Sequence, residues 1–223
     1  MGFEWSRILE PLFWIVVIAS FLSVVWFFRF RRIMIRRQVS ILQLLEEKLK
    51  PRDTKYTVHG YLVGFTGKYW VNRGNLIRAW VYYSTPPYHV FFYLPVIHLF
   101  RRSERMDFTL KLRELKPGGE AHLVVPGDRH VARTVSIDLA KRNRPLPESI
   151  VDVDGRRLKA YYTSQAALDK AVEIYRRLST LEDVRRVSLS SSSQGLHVAI
   201  VPRLGNLEAF ISSLLDTAES LRG

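Results

Sequence analysis

"PLFWIVVIASFLSVVWFF", residues 11–28, carries no charge, and "RFRRIMIRRQ", residues 29–38, follows it without a break and holds five arginines in ten positions. The whole run 8–28 is apolar apart from Glu10, Ser20 and Ser23. About 20 such residues at 1.5 Å rise cross a hydrocarbon core of about 30 Å. Trp14 stands near one end and Trp26, Phe27 and Phe28 at the other, as suits the two interfaces of a bilayer. A cleaved signal peptide fits less well, because the apolar run is too long and has no small-residue cleavage site.

The charge asymmetry predicts an orientation. Only Arg7 precedes the run, set against Glu4 and Glu10, whereas Arg29, Arg31, Arg32, Arg36 and Arg37 follow it. By the positive-inside rule the N-terminus lies outside and everything after the span is cytoplasmic, in a plasma membrane or an endoplasmic-reticulum-type membrane. The same five arginines can hold anionic headgroups of the lipid bilayer. From Ile33 to Leu49 the pattern stays helical, with Met34, Ile41, Leu42, Leu45 and Leu49 roughly on one face, until Pro51 stops it.

The remainder reads as α+β. Strand-like runs at 56–65 and 68–71 are punctuated by Gly60, Gly64, Gly67 and Gly74. Two β-α-β-β-α units then follow. The first has strand 76–84, helix 87–101, strands 106–115 and 120–125, and a helix 129–142 capped by Asp128. The second has strand 156–163, helix 165–178 capped by Ser164, strands 184–190 and 195–202, and a helix 206–221 capped by Asn206. The segment 141–155 reads as the linker. The expected organisation is an extracytoplasmic N-terminus (1–7), a transmembrane helix (8–28), a basic stalk (29–55), a first unit with its leading strands (56–144) and a second unit (145–223).

Lys plus Arg is 34 and Asp plus Glu is 21, a formal net charge of +13. That balance suits a partner with phosphates, such as RNA, a ribosome or anionic lipid, although positive charge beside a membrane segment also serves topology alone. There is no cysteine, so disulfides, zinc-thiolate sites and thiol nucleophiles are excluded. The six histidines show no metalloprotease spacing. "DVDG" (152–155) opens like a calcium loop, but Arg156 and Thr163 fall where ligands would be needed. "VVPGDRH" (124–130) lacks the Gly-Lys-Ser/Thr of a phosphate-binding loop. No catalytic residues, metal or cofactor are expected.

Two surfaces stand out. The first is the segment 88–100, in which Phe91, Phe92, Leu94, Ile97, Leu99 and Phe100 precede Arg101 and Arg102. Its plain reading is a helix buried under the first sheet. Its functional reading is a helix against lipid or a membrane partner, with its arginines at headgroup level. The second is a basic set centred on Arg156, Arg157, Arg176, Arg177, Arg185 and Arg186, either a solvated face or a contact for RNA phosphates. The serines of "SLSSSSQG" (188–195) read as a flexible hairpin tip.

The succession of the span, "LIRAWVYYSTPPYHVFFYLPVIHLFRRSERMDFTLKL" (76–112), "VVPGDRHVARTVSIDL" (124–139), "LPESIVDV" (146–153) and "VRRVSLSSSSQGLHVAIV" (184–201) resembles the calumin-like family. That family provides the coiled-coil-domain-containing subunit of the translocon-associated intramembrane chaperone complex. The resemblance covers most of the chain and rests on structural patterns. It implies a non-enzymatic accessory factor that helps multi-spanning membrane proteins insert beside the Sec channel and an Oxa-type insertase. A translating ribosome is implied as well, and a small membrane-protein partner is a further expectation. The chain departs from the family pattern in showing neither its acidic N-terminal region nor its basic coiled-coil tail. The competing expectations are a membrane-anchored scaffold subunit of another complex and a membrane-bound hydrolase.

Overall fold

A computed structural model describes residues 6–60, 62–100, 102–116, 118–127 and 146–222. The expected helix 129–142, its cap Asp128, and Arg101 lie outside the described residues. Helix α1 runs unbroken from Ser6 to Leu49. Its 44 residues measure about 66 Å at 1.5 Å each, roughly twice a hydrocarbon core. Lys50 ends it in a left-handed conformation (φ 44°), donating its N–H to the Glu46 carbonyl at 2.9 Å, and Pro51 prevents further winding.

The strands are β1 (Asp53–Val58), β2 (Gly64–Arg73), β3 (Leu76–Ser84), β4 (Arg105–Leu112), β5 (Glu120–Val124), β6 (Glu148–Val153), β7 (Arg156–Tyr162), β8 (Asp183–Ser190) and β9 (Gly195–Val201). Among the described residues they join in one antiparallel sheet of order β1-β2-β3-β4-β9-β8-β5-β7-β6. Helices α3 (Gln165–Ser179) and α4 (Leu204–Ser220), together with the second half of α1, share their buried faces with a single core.

Alternation explains which face is covered. Phe65, Tyr69 and Val71 of β2, Ala79, Val81 and Tyr83 of β3, and Met106, Phe108, Leu110 and Leu112 of β4 are buried. The alternate residues Thr66, Lys68 and Trp70, Trp80 and Tyr82, and Asp107, Thr109 and Lys111 point the other way and are half-buried or exposed. The helical stripes match their periodicity: Leu168, Ala171, Tyr175 and Leu178 of α3, and Leu207, Phe210, Ile211, Leu214 and Ala218 of α4, are buried. Phe210 meets Phe108 at 5.6 Å between centroids.

Several expectations are corrected. The two units do not form separate sheets. β5 leaves the first unit and inserts between β7 and β8, while β4 pairs with β9 of the second. Strand pairing is chosen by non-local burial, which a local pattern does not encode. The linker 141–155 contains a strand, β6, at the sheet's edge. The helix 87–101 shrinks to a 3-10 turn, Phe91–Tyr93, and one short helix, α2 (Leu94–Leu99). Pro86 and Pro87 hold the preceding residues extended, and Pro95 is accepted only in α2's first turn.

Ser164 does cap α3, accepting from the Ala167 N–H at 3.3 Å. Asn206 does not cap α4. The helix begins earlier, after Arg203, and Asn206 instead donates its amide to the Leu181 carbonyl at 3.0 Å. At the β2–β3 turn, buried Asn75 donates its side-chain amide to the Glu114 and Ala218 carbonyls at 3.0 and 2.8 Å, tying the turn to α4's last turn.

Candidate membrane-proximal interface

The chain between β3 and β4 crosses to the middle of α1. Trp26 Nε1 donates to the Tyr88 carbonyl at 2.8 Å, and the Trp26 ring meets Phe91 edge-on at 5.7 Å while stacking on Phe30 at 4.2 Å. Phe27 packs against His89 at 6.0 Å. About three turns further along α1, Arg37 forms an ion pair with Glu104 at 2.7 Å, and Glu104 accepts from the Tyr83 hydroxyl at 3.1 Å. Burial raises the Glu104 carboxyl above its usual range against the opposing pull of Arg37 and Tyr83. It also raises the Tyr83 phenol.

The contacts of Trp26 and Phe27 place the start of the segment 88–100 beside the end of the apolar run. Its outward face is apolar: Phe92 is 64% exposed, Leu99 78% and Phe100 65%, and Val90 is exposed as well. Phe92 stands in the 3-10 turn, Leu99 ends α2 and Phe100 follows it. Phe91 and Leu94 are half-buried, and only Ile97 of the segment is buried. The expectation of a helix beneath the sheet is therefore wrong, because the segment packs on α1 and leaves its largest side chains out. The neighbouring loop adds exposed Val63, whose carbonyl accepts from the Thr85 N–H at 2.7 Å. Gly64 is required there. Its φ is 151°, and a Cβ would lie 2.0 Å from the Tyr83 carbonyl oxygen.

Arg29, Arg31, Arg32 and Arg36 are exposed along the turns just after Phe28. Arg102 lies over the Tyr93 ring at 5.8 Å, which sets its charge beside the apolar face.

The second basic set is dispersed. Arg156 and Arg185 both reach Asp183, at 3.4 and 2.6 Å. Arg176 pairs with Asp154 at 3.3 Å and Arg177 with Asp216 at 3.4 Å. Arg157 is exposed on β7. Arg186 is buried, donating through Nε to the Ser188 hydroxyl at 2.7 Å. Carboxylates accompany Arg156, Arg176, Arg177 and Arg185, and Arg186 is buried, so the set does not make one bare cationic face.

A polar row crosses the sheet on its other face: Thr109, His197, Ser188 and His122 are direct register partners on β4, β9, β8 and β5. It borders an open cavity of about 340 Å³ that also meets Ser190 and Ser192. The serines are pinned. Ser190 and Ser192 donate to one Glu120 oxygen at 3.0 and 2.8 Å, and Ser191 accepts from the Gly119 N–H at 2.7 Å. Burial, with Arg186, Arg105 and His122 adding positive charge nearby, pushes the His197 pKa well down and keeps it neutral. Arg186 donates through Nε to the Ser188 hydroxyl, which stands between His122 and His197 in the register. Among the described residues no group of three metal-ligating side chains gathers.

The signal missed by the sequence reading is the direction of the segment 88–100. Its composition was legible, but its seat on Trp26 and Phe27 is a contact between residues about sixty apart. No family model matches the chain, and no curated protein matches it.

Proposed function

We propose that the protein is a single-pass membrane protein whose domain lies against the cytoplasmic face of the bilayer and assists insertion or assembly of multi-spanning membrane proteins. The carrying observation is the seam between Trp26–Phe27 and Tyr88–Phe91. Trp26 is two residues, or about 3 Å, from the end of the apolar run at Phe28. Whatever packs on it sits at headgroup depth once residues 9–28 are in lipid. Phe92, Leu99 and Phe100 then enter the interface beside the span, and Arg29, Arg31, Arg32 and Arg36 meet the phosphates. The domain is held at two points and cannot swing away from the surface.

Continuity of α1 supports a retained anchor over a cleaved signal. Its second half supplies Ile41, Leu45 and Leu49 to the domain's core, so removal of the helix would open that core. The Sec channel, an Oxa-type insertase and the ribosome enter as partners through the resemblance to the calumin-like family, and the role so proposed is non-catalytic.

The cysteine-free chain makes the test direct. Single cysteines at Ile18, Phe92 and Leu99 carry an environment-sensitive fluorophore in proteoliposomes. Deep spin-labelled lipid should quench position 18, and shallow spin-labelled lipid positions 92 and 99. Quenching of 92 and 99 by aqueous iodide instead would remove the docked geometry. Crosslinking from the same positions in native membranes should capture lipid, the Sec channel or an Oxa-type protein. Recovery of another complex with neither Sec channel nor ribosome would transfer the protein to the scaffold class.

A further inference from the structure

On the face of the sheet away from α1, α3 and α4, β1 to β4 present a cationic and aromatic grid. Lys55 of β1 stands directly opposite Lys68 of β2, and Lys68 opposite Trp80 of β3. In the adjacent row, Trp70 of β2 stands opposite Arg78 of β3, and Arg78 opposite Lys111 of β4. The four cations are exposed and the two tryptophans half-exposed. Arg78 lies over the Trp70 ring at 5.8 Å.

Two like-charge pairs thus face each other directly across strands, Lys55 with Lys68 and Arg78 with Lys111. Such pairs destabilise a sheet. Among the described residues none of the four makes an ion pair, in contrast to Arg156, Arg176, Arg177 and Arg185, each beside a carboxylate. Asp107, the nearest acid on β4, is held by Arg105 through two hydrogen bonds of 2.7 and 3.0 Å. Asp53 of β1 stands opposite Trp70 at the end of this row and accepts from the Thr54 N–H at 2.8 Å, making no ion pair among the described residues. Four cations against that single acid, gathered around two flat rings, suit a polyanion that also carries stackable bases.

We propose that this open face of β1–β4 binds single-stranded RNA, with Lys55, Lys68, Arg78 and Lys111 on phosphates and Trp70 and Trp80 beneath bases. Basic grooves with aromatic platforms bind single strands in this way, tolerating sequence because every base has a π-face. An acidic peptide would use the cations but leave the tryptophans without a role. The site deepens the ribosome contact proposed above and rests on it only for where the RNA comes from, since binding itself requires no Sec channel.

The test is fluorescence anisotropy of an end-labelled single strand of about 12 nucleotides. The full chain is held in phosphatidylcholine nanodiscs, whose lipid carries no net charge. The affinity should fall with salt along a logarithmic slope near −3, from about 0.7 per phosphate contact and four contacts. The triple reversal Lys68→Glu, Arg78→Glu, Lys111→Glu should abolish binding, and Trp80→Ala should weaken it at least about 10-fold. The charge-matched triple Arg156→Glu, Arg176→Glu, Arg177→Glu should bind within about 2-fold of the parent, provided its thermal unfolding shows an intact fold. Equal loss from both triples would overturn the proposal, showing diffuse attraction to the net charge. Competition by polyglutamate as effective as by RNA, with no effect of Trp80→Ala, would also overturn it and assign the face to acidic protein segments. Co-purification of the Sec channel with the β1–β4 triple reversal would show that the translocon reading survives without this site.

Discussion

The two halves of α1 live in opposite circumstances on one continuous helix. From Leu9 to Phe28 its large side chains are mostly exposed, Phe13 at 61% and Phe21 at 67%, and apolar all round. From Met34 to Leu49 only one stripe is apolar, and Met34, Ile41, Leu45 and Leu49 are buried at 4% or less. The first half has the surface of a solute for lipid and the second that of a core helix for water. The difference teaches that hydrophobicity alone does not separate them. The angular spread of apolar residues does, and the changeover falls at the arginine run.

Substitutions can break this contrast, beginning with the largest effect. Ile41→Asp places a carboxylate in a fully buried site and should destabilise the domain by about 4–5 kcal/mol, or prevent folding. Chemical unfolding in mild detergent checks it. The matching change Ile18→Asp should leave domain unfolding unchanged while costing about 3–4 kcal/mol in membrane insertion, read by an insertion assay. Equal loss of domain stability from both would mean that the halves share one environment.

The junction offers a smaller effect. Arg37 and Arg36 are neighbours, but only Arg37 meets Glu104. Arg37→Met should cost about 1–3 kcal/mol, because it leaves a mostly buried carboxyl without its cation. Arg36→Met should lie within about 0.5 kcal/mol of the parent. Substituting all five arginines after the apolar run by Glu should act differently again, impairing the proposed N-out orientation as read by protease access to inverted vesicles.

The smallest effect is that of pH. Burial lowers the pKa of both His89 and His197, so the unfolded chain takes up protons near the ordinary value of about 6.5 before the folded protein does. Stability from these groups is therefore complete above that pH and declines as pH falls below it. Thermal unfolding across this window should show the decline, and His197→Gln should flatten it. A stability independent of pH in the parent would contradict the burial of these rings.

Much of the molecule was legible in advance where the cause is local. The apolar run, the helical stripe to Leu49, the stop at Pro51, the α3 cap at Ser164 and the buried stripes of α3 and α4 all follow from spacing along a few turns. The candidate segment 88–100 was legible as composition and misread as geometry. Its prolines should have argued for a broken helix, whereas nothing local indicated that Phe92, Leu99 and Phe100 would point outward. The dispersed arginines show the same limit, since the Arg156–Asp183 and Arg177–Asp216 pairs join residues distant in sequence.

A spanning-length apolar helix, a steep charge asymmetry after it, and an α+β domain without thiol chemistry can be read from the residues alone. Each follows from composition or from a period of 2 or 3.6, which the chain carries locally. The folded chain adds that β5 joins β7 and β8, that Trp26 carries Tyr88 and Phe91, and that Lys55, Lys68, Arg78 and Lys111 share a face with Trp70 and Trp80. The physical reason is that strand partners are selected by burial of the whole sheet against α1, α3 and α4. The register that results puts residues from separate strands side by side, and that adjacency is a property of the closed core and of no single segment.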